Sequence, residues 1–124
     1  MSKFTEKVLE VVNKIPKGTV ASYGQVSLIA GIPRAALQVG WILHQYGETT
    51  PWWRVINNAG RISTKCIEHH ASLQKKHLEA ENVKVTPKLK IDIEKYRWRP
   101  NPNELKKLKL DEKYLEEVLN TYSL

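Results

Sequence analysis

With a single cysteine, Cys66, in 124 residues the chain cannot close an internal disulfide, which fits a reducing compartment. Cys66 lies near Lys65 with no motif around it, so a catalytic role for it is not expected. No apolar run approaches the roughly 20 residues that a bilayer span needs, and the N-terminus lacks a signal-peptide pattern. The chain is therefore expected to be soluble and intracellular, with no membrane contact. Internal repeats and low-complexity segments are also missing. His69, His70 and His77 fall on or near one helix, but no cysteine or second histidine cluster stands at ligand spacing. Solvent-facing histidines are expected there, and neither a metal nor another cofactor.

What the chain does have is an ordinary globular composition, 41% hydrophobic and 27% charged, and one domain's worth of length. The formal net charge is +7 and is unevenly spread. Residues 1–98 hold fifteen basic and eight acidic side chains, whereas residues 99–124 hold five of each. A basic body with a neutral tail raises the odds of a polyanionic partner.

Phe4, Val8, Val11, Val12 and Ile15 recur at three- and four-residue spacing, so the periodicity predicts an amphipathic helix over 5–14, ended by Pro16. Ser22-Tyr23-Gly24-Gln25 has the form of a capping box, in which Gln25 reaches back, and opens a short helix to about Ala30. Gly31-Ile32-Pro33 breaks the pattern, and helical periodicity resumes from 34 to about 45. Helix, tight turn, helix is the outline of a helix-turn-helix. Trp53 to Ile56 and Arg61 to Ser63 are expected as two short strands joined by the turn at 57–60. Residues 69–82 are expected to be helical, with Leu73, Leu78 and Ala80 facing the core and Asn82 as C-cap. Alternating apolar positions at Leu89, Ile91 and Ile93 follow Pro87. Residues 1–100 make up the expected domain, and 101–124 a charged extension, helical over 103–120, that either packs on it or meets a partner.

Ile15-Pro16-Lys17-Gly18, Ser22-Tyr23-Gly24-Gln25-Val26, Gly31-Ile32-Pro33, Gln38-Val39-Gly40, Pro51 to Asn57, Gly60-Arg61-Ile62-Ser63 and Gln74 to Val83 form an ordered series. Together they resemble the DNA-binding domain of the O6-alkylguanine-DNA alkyltransferases. The match is best to the short alkyltransferase-like proteins that carry tryptophan at the reacting cysteine. Pro51-Trp52-Trp53-Arg54-Val55 looks like that family's Pro-Cys-His-Arg-Val motif. The fold implied is mainly α with short strands (α+β), a winged helix-turn-helix-like DNA-binding domain.

The resemblance also implies roles. Trp52 takes the place of the nucleophile and Trp53 that of the histidine that relays its deprotonation. An indole is neither nucleophilic nor ionised near neutral pH, so binding without dealkylation is expected. Base stacking on Trp52 would offset part of the few kcal/mol that extruding a nucleotide costs. Tyr23 matches a tyrosine beside the flipped nucleotide's backbone, Arg54 ties the active-site loop, and Asn57 matches a hinge-like asparagine bonded to nearby backbone; these line the lesion pocket. The second helix of the helix-turn-helix meets the minor groove, with Arg34, Leu37, Gln38 and Trp41 on its outer face and Ala36, Val39, Gly40 and Leu43 on its inner side. Gly40, costly inside a helix, points to a close approach by DNA or by a packed helix. Family members push an arginine into the vacated stack, and here that position is Leu37. Leucine either fills the gap without hydrogen bonding or lies in the core; Arg34 would lie along a phosphate.

The function this implies is non-enzymatic recognition of O6-alkylguanine in duplex DNA by nucleotide flipping, in a monomer that marks the lesion for nucleotide excision repair proteins. The protein is then DNA-associated, in a prokaryotic cytoplasm or a eukaryotic nucleus. Two rivals stand beside it: a helix-turn-helix regulator that binds an undamaged sequence, and an enzyme that accepts alkyl groups on Cys66.

Overall fold

The computed structural model of the chain describes residues 2–62, 68–106 and 112–122. Its first helix, α1 (Lys3–Lys14), starts two residues before the apolar stripe demands, because the Ser2 side chain accepts from the Thr5 N–H at 3.1 Å and caps it. Val8, Val11 and Val12 are buried along its inner face, and Phe4 packs partly against them.

Ser22 belongs at once to β1 (Ala21–Ser22) and to the start of α2 (Tyr23–Ile29), where its hydroxyl accepts from the Gln25 N–H at 3.0 Å. The returning half of the expected capping box is absent. Gln25 is fully buried and satisfies its amide over long range, donating to the Trp98 carbonyl at 2.7 Å and accepting from Arg97 Nη1 at 3.2 Å. The Val20↔Arg97 bridge holds that segment alongside. A buried amide needs partners for both its ends, and these supply them.

Between the two helices of the helix-turn-helix, the Ser27 hydroxyl donates to the Ile32 carbonyl at 2.8 Å and accepts from the Ala35 N–H at 3.1 Å. Helix α3 (Ala36–Tyr46) begins two residues later than the periodicity suggests. Arg34 has φ 62°, a left-handed conformation that no α-helix can contain.

Trp53 to Ile56 is not one arm of a hairpin. Trp52–Arg54 form a single 3₁₀ turn, closed by the Arg54 N–H to the Pro51 carbonyl at 3.0 Å. Only Val55–Ile56 are strand (β2), and they pair in parallel with β1 in the register Ala21↔Val55, Ser22↔Ile56. Both residues of β2 are fully buried, so their partner lies inside the fold rather than across a local turn. The turn at 57–60 does form, but Arg61 bridges Lys90 instead. Gly60 makes that approach possible: at φ 80°, a Cβ there would sit 2.3 Å from the Ile91 carbonyl oxygen. Ser63 lies outside the described residues, as does Cys66.

Helix α4 (Glu68–Ala80) turns Ala71, Gln74 and Leu78 inward. Leu73 and Ala80, expected in the core, are exposed, because the helical phase is set by 71, 74 and 78. Asn82 has the left-handed φ of 66° expected of a C-cap, and the Val83 N–H closes on the Leu78 carbonyl at 3.0 Å. The alternating run beyond it is not a strand. A turn over Thr86–Lys90 holds Leu89 at φ 61°, and Ile93 opens a one-turn helix, α5 (Ile93–Tyr96), capped by Asp92.

The tail forms α6 (Pro102–Lys106) and α7 (Glu112–Tyr122). Leu105 and Val118 are buried in the same cluster as Val8, Val11, Val26 and Val39, and the Tyr114 hydroxyl donates to the Leu28 carbonyl. The extension thus packs on the helix-turn-helix from behind. A second cluster, built on Val20, Ile56, Ile62, Ala71, Leu78, Val83, Val85 and Ile91, supports the loop before β2. Among the described residues the fold is mainly α with one two-stranded sheet, and no described helix is long and apolar enough to cross a membrane.

Candidate nucleic-acid interface

Helix α3 shows two faces. Val39 and Ile42 are buried, Ala36, Gly40 and Leu43 are half-buried, and Gln38 points outward. Leu37 is 74% exposed and Trp41 60% exposed, so neither belongs to the core. They stand one turn apart on the same side. Arg34 is exposed too, in the turn before the helix rather than on it. At Gly40 a Cβ would meet only the Tyr23 ring, at 4.0 Å. Packing within the chain therefore does not demand a glycine there, and Tyr23, half-buried at the start of α2, lies directly against α3.

The loop before β2 carries a compact aromatic group. Trp52 and Trp53 meet edge to face with ring centroids 6.0 Å apart. His77 stacks on Trp53 at 4.2 Å with the rings 15° from parallel, and stands edge-on to Trp52 at 6.2 Å. All three are half-buried. His77 is therefore no solvent-facing histidine; α4 delivers it to this loop. The side chains of His69 and His70 lie outside the described residues. No group of three or more metal-ligating side chains occurs among the described residues.

One α4 side chain and one from just past the end of the helix fix this loop. Gln74 Nε2 donates to the Trp53 and Val55 carbonyls, each at 3.0 Å. Arg54 makes a fork with Glu81, Nε to Oε1 at 2.9 Å and Nη2 to Oε2 at 2.6 Å, while its Nη1 reaches the Ile15 carbonyl at 2.7 Å. The Arg54 and Glu81 side chains are only 14% and 8% exposed. Burial alone would raise the Glu81 carboxyl. Hydrogen bonds from Arg54, the nearby Trp53 N–H, the Arg54 charge and the Gly18 N–H outweigh it and hold this acid below its ordinary 4.5. Trp53 Nε1 is buried and forms no hydrogen bond of normal geometry, so it acts on Glu81 as a nearby dipole rather than as a full donor.

Asn57 follows directly on β2, its Oδ1 accepting from the Ala59 N–H at 3.0 Å and the Arg61 N–H at 2.8 Å. The residues singled out from sequence thus form three sets, Trp52, Trp53 and Arg54 on the loop, Tyr23 with Gly40, and Arg34, Leu37, Gln38 and Trp41 outward, while Asn57 serves the turn after β2. His77, Gln74 and Glu81 complete the loop set and were not foreseen. Their signal was helical phase, since 74, 77 and 81 follow at three- and four-residue steps.

The family profile described as "6-O-methylguanine DNA methyltransferase, DNA binding domain" matches residues 3–83. A DNA base-flipping protein of Vibrio parahaemolyticus is 40% identical over 102 residues, which cover 81% of this chain and 100% of that protein. Alkyltransferase-like protein 1 of Schizosaccharomyces pombe is 38% identical over 106 residues, covering 81% and 98%. The crystal structure of S. pombe Atl1 in complex with damaged DNA containing O6-carboxymethylguanine superposes with a TM-score of 0.75 at 35% identity, over 81% of this chain and 98% of that one.

Proposed function

This chain belongs to the family of the 6-O-methylguanine DNA methyltransferase DNA-binding domain, as one of its alkyltransferase-like members, and from that premise we propose that it is a non-enzymatic reader of O6-alkylguanine in duplex DNA. Helix α3 docks in the minor groove, Leu37 enters the base stack, and the damaged nucleotide turns out toward the loop before β2. Trp52 holds the extruded base there by stacking, Trp53 backs it, and Tyr23 contacts the adjoining backbone. Arg34, Gln38 and Trp41 line the groove beside Leu37, and Gly40 lets the DNA backbone come close.

The observation that carries this reading is the aromatic group itself. It is half-open to solvent, yet held rigidly by the Arg54–Glu81 fork and by Gln74. A stacking surface gains most when its own order is already in place, since the bound base then has less to immobilise. Trp52 and Trp53 take the positions of the family's cysteine and histidine, so neither a thiolate nor its proton relay is available. The relatives' printed names and the damaged-DNA complex support lesion binding. With no transfer the alkyl group stays on the base, and excision of the strand segment is the chemistry that removes it; nucleotide excision repair proteins are the partners that follow. One recognition helix and one pocket suffice for one lesion, so the protein acts as a monomer.

The test is fluorescence polarisation on one duplex carrying guanine or O6-methylguanine at the same place, for the intact protein and for Trp52→Ala. The intact protein should prefer the modified duplex. Trp52→Ala should lose about tenfold in that preference while binding to plain duplex changes little, because stacking acts only on an extruded base. Radiolabel in the O6-methyl group should stay entirely on the DNA. Equal affinity for both duplexes would favour a sequence-reading regulator, and label on the protein would make it an enzyme.

A further inference from the structure

Leu37 and Trp41 are the two most exposed of the large apolar side chains described, and they stand at i and i+4 on the face of α3 turned away from the core. Standing next to each other, they form an apolar patch of the kind that marks an interaction surface, which a single exposed side chain would not. Resting on the DNA-reading role proposed above, we infer that Leu37 and Trp41 form one two-residue apolar wedge in the minor groove, which fills the vacated stack by shape alone, so that the wedge's own contribution to lesion binding does not depend on the base left opposite.

The chemistry follows from what these side chains can offer. A leucine has no hydrogen-bonding atom, and an indole has a single N–H donor at its ring edge and no acceptor. An arginine in the gap would present five donors to the orphaned base and would register whether that base is cytosine, thymine or missing. Leucine cannot register the difference. It is also a thin filler for a space that held a purine, whereas an indole one turn along adds a broad flat surface against the neighbouring sugar and base edge. Apolar wedges of this kind unstack DNA steps in other minor-groove proteins. Gln38 is the remaining polar group on that face. Helical geometry sets it about 100° around the axis from Leu37, with Trp41 at about 40° between them, so the indole separates the amide from the gap. Arg34, in the turn ahead of the helix, is placed for a phosphate rather than for a base.

The experiment measures Kd for duplexes with O6-methylguanine opposite cytosine, thymine or an abasic site, beside the plain guanine duplex, for the intact protein, Leu37→Arg, Trp41→Ala and Gln38→Ala. The three substituted side chains are exposed, so the variants should fold, which thermal melts check. The cost of extruding the lesion differs among the duplexes but is shared by all four proteins, so ratios between proteins isolate the filler. Divided by those of Gln38→Ala, which cancels the extrusion cost, the intact protein's three lesion affinities should agree within about twofold. Leu37→Arg should favour cytosine over the abasic site by about tenfold more than the intact protein does, because its hydrogen bonds to the orphan are charge-assisted. Trp41→Ala should weaken all three lesion duplexes alike, by about tenfold, and plain duplex less. Three results would overturn the inference: an opposite-base preference in the intact protein as large as in Leu37→Arg, a preference that Gln38→Ala abolishes, or a Trp41→Ala protein with undiminished lesion affinity. Loss of any preference for lesion over plain guanine in the intact protein would instead remove the function proposed above, and the wedge with it.

Discussion

Arg54 directs three nitrogens inward, two to Glu81 and one to the Ile15 carbonyl, and so turns a four-residue loop into a fixed platform for Trp52 and Trp53. The stability of that platform depends on pH with a definite sign. Glu81 is held below its ordinary 4.5 in the folded chain, so its contribution is complete above that value and is lost as pH falls through the lower folded one. Glu81→Gln should cost about 3–5 kcal/mol near neutrality, since it leaves Arg54 buried against a neutral partner. The difference from the intact protein should shrink as pH drops below 4.5. Urea unfolding between pH 7 and pH 3 checks both limbs, and parallel curves at all pH values would show that the pair does not titrate in this range. At this scale the sequence was partly legible. The motif around Trp52 singled out the loop, and Arg54 was assigned to tie it. Glu81 was not assigned to the loop and His77 was expected to face solvent, because residues about 25 positions away in the chain become partners only through the packing of α4.

Helix-forming elements were readable from the chain because their signals are local: the stripe of α1, the Ser22 cap and the breaker at Gly31-Ile32-Pro33 act within a few residues. Strand pairing is not local. Val55–Ile56 found a parallel partner more than thirty residues back, where the turn composition of 57–60 had suggested an antiparallel one close by. Ser22 is the joint between these levels, because its backbone ends β1 and its side chain caps α2. Ser22→Ala should therefore destabilise the fold by about 1 kcal/mol, the usual cost of losing an N-cap. A second effect should follow from position, since Tyr23 is the first residue of α2 and leans on α3 beside Gly40. Lesion affinity should fall in Ser22→Ala and return in Ser22→Thr, which keeps the hydroxyl. Thermal melts and binding isotherms on the three proteins separate the two effects. A mutant with unchanged melting would mean that the β1–β2 pairing alone sets the start of α2.

Across the whole molecule, charge and core follow different boundaries. Residues 1–98 hold the excess of basic side chains, and the family profile ends at residue 83, yet the first hydrophobic cluster runs on to Leu105 and Val118. Sequence reading placed a boundary at 100 because the resemblance and the basic excess both stop there. It could not tell whether the tail packed, since α7 carries an amphipathic pattern that would serve a partner surface equally well. Leu105 is 1% exposed and shares its cluster with Val8 and Val26. If that packing is part of the cooperative core, Leu105→Ala should cost about 2–5 kcal/mol, as a truncated core leucine does, and the loss should appear as one transition shifted to lower denaturant. Discrimination of O6-methylguanine from guanine, measured well below that midpoint, should stay unchanged, because Leu105, Val118 and Tyr114 pack into the cluster behind α2 and on the Leu28 carbonyl. A two-step unfolding curve, or a substitution without effect on stability, would show that residues 101–124 fold apart from the helix-turn-helix.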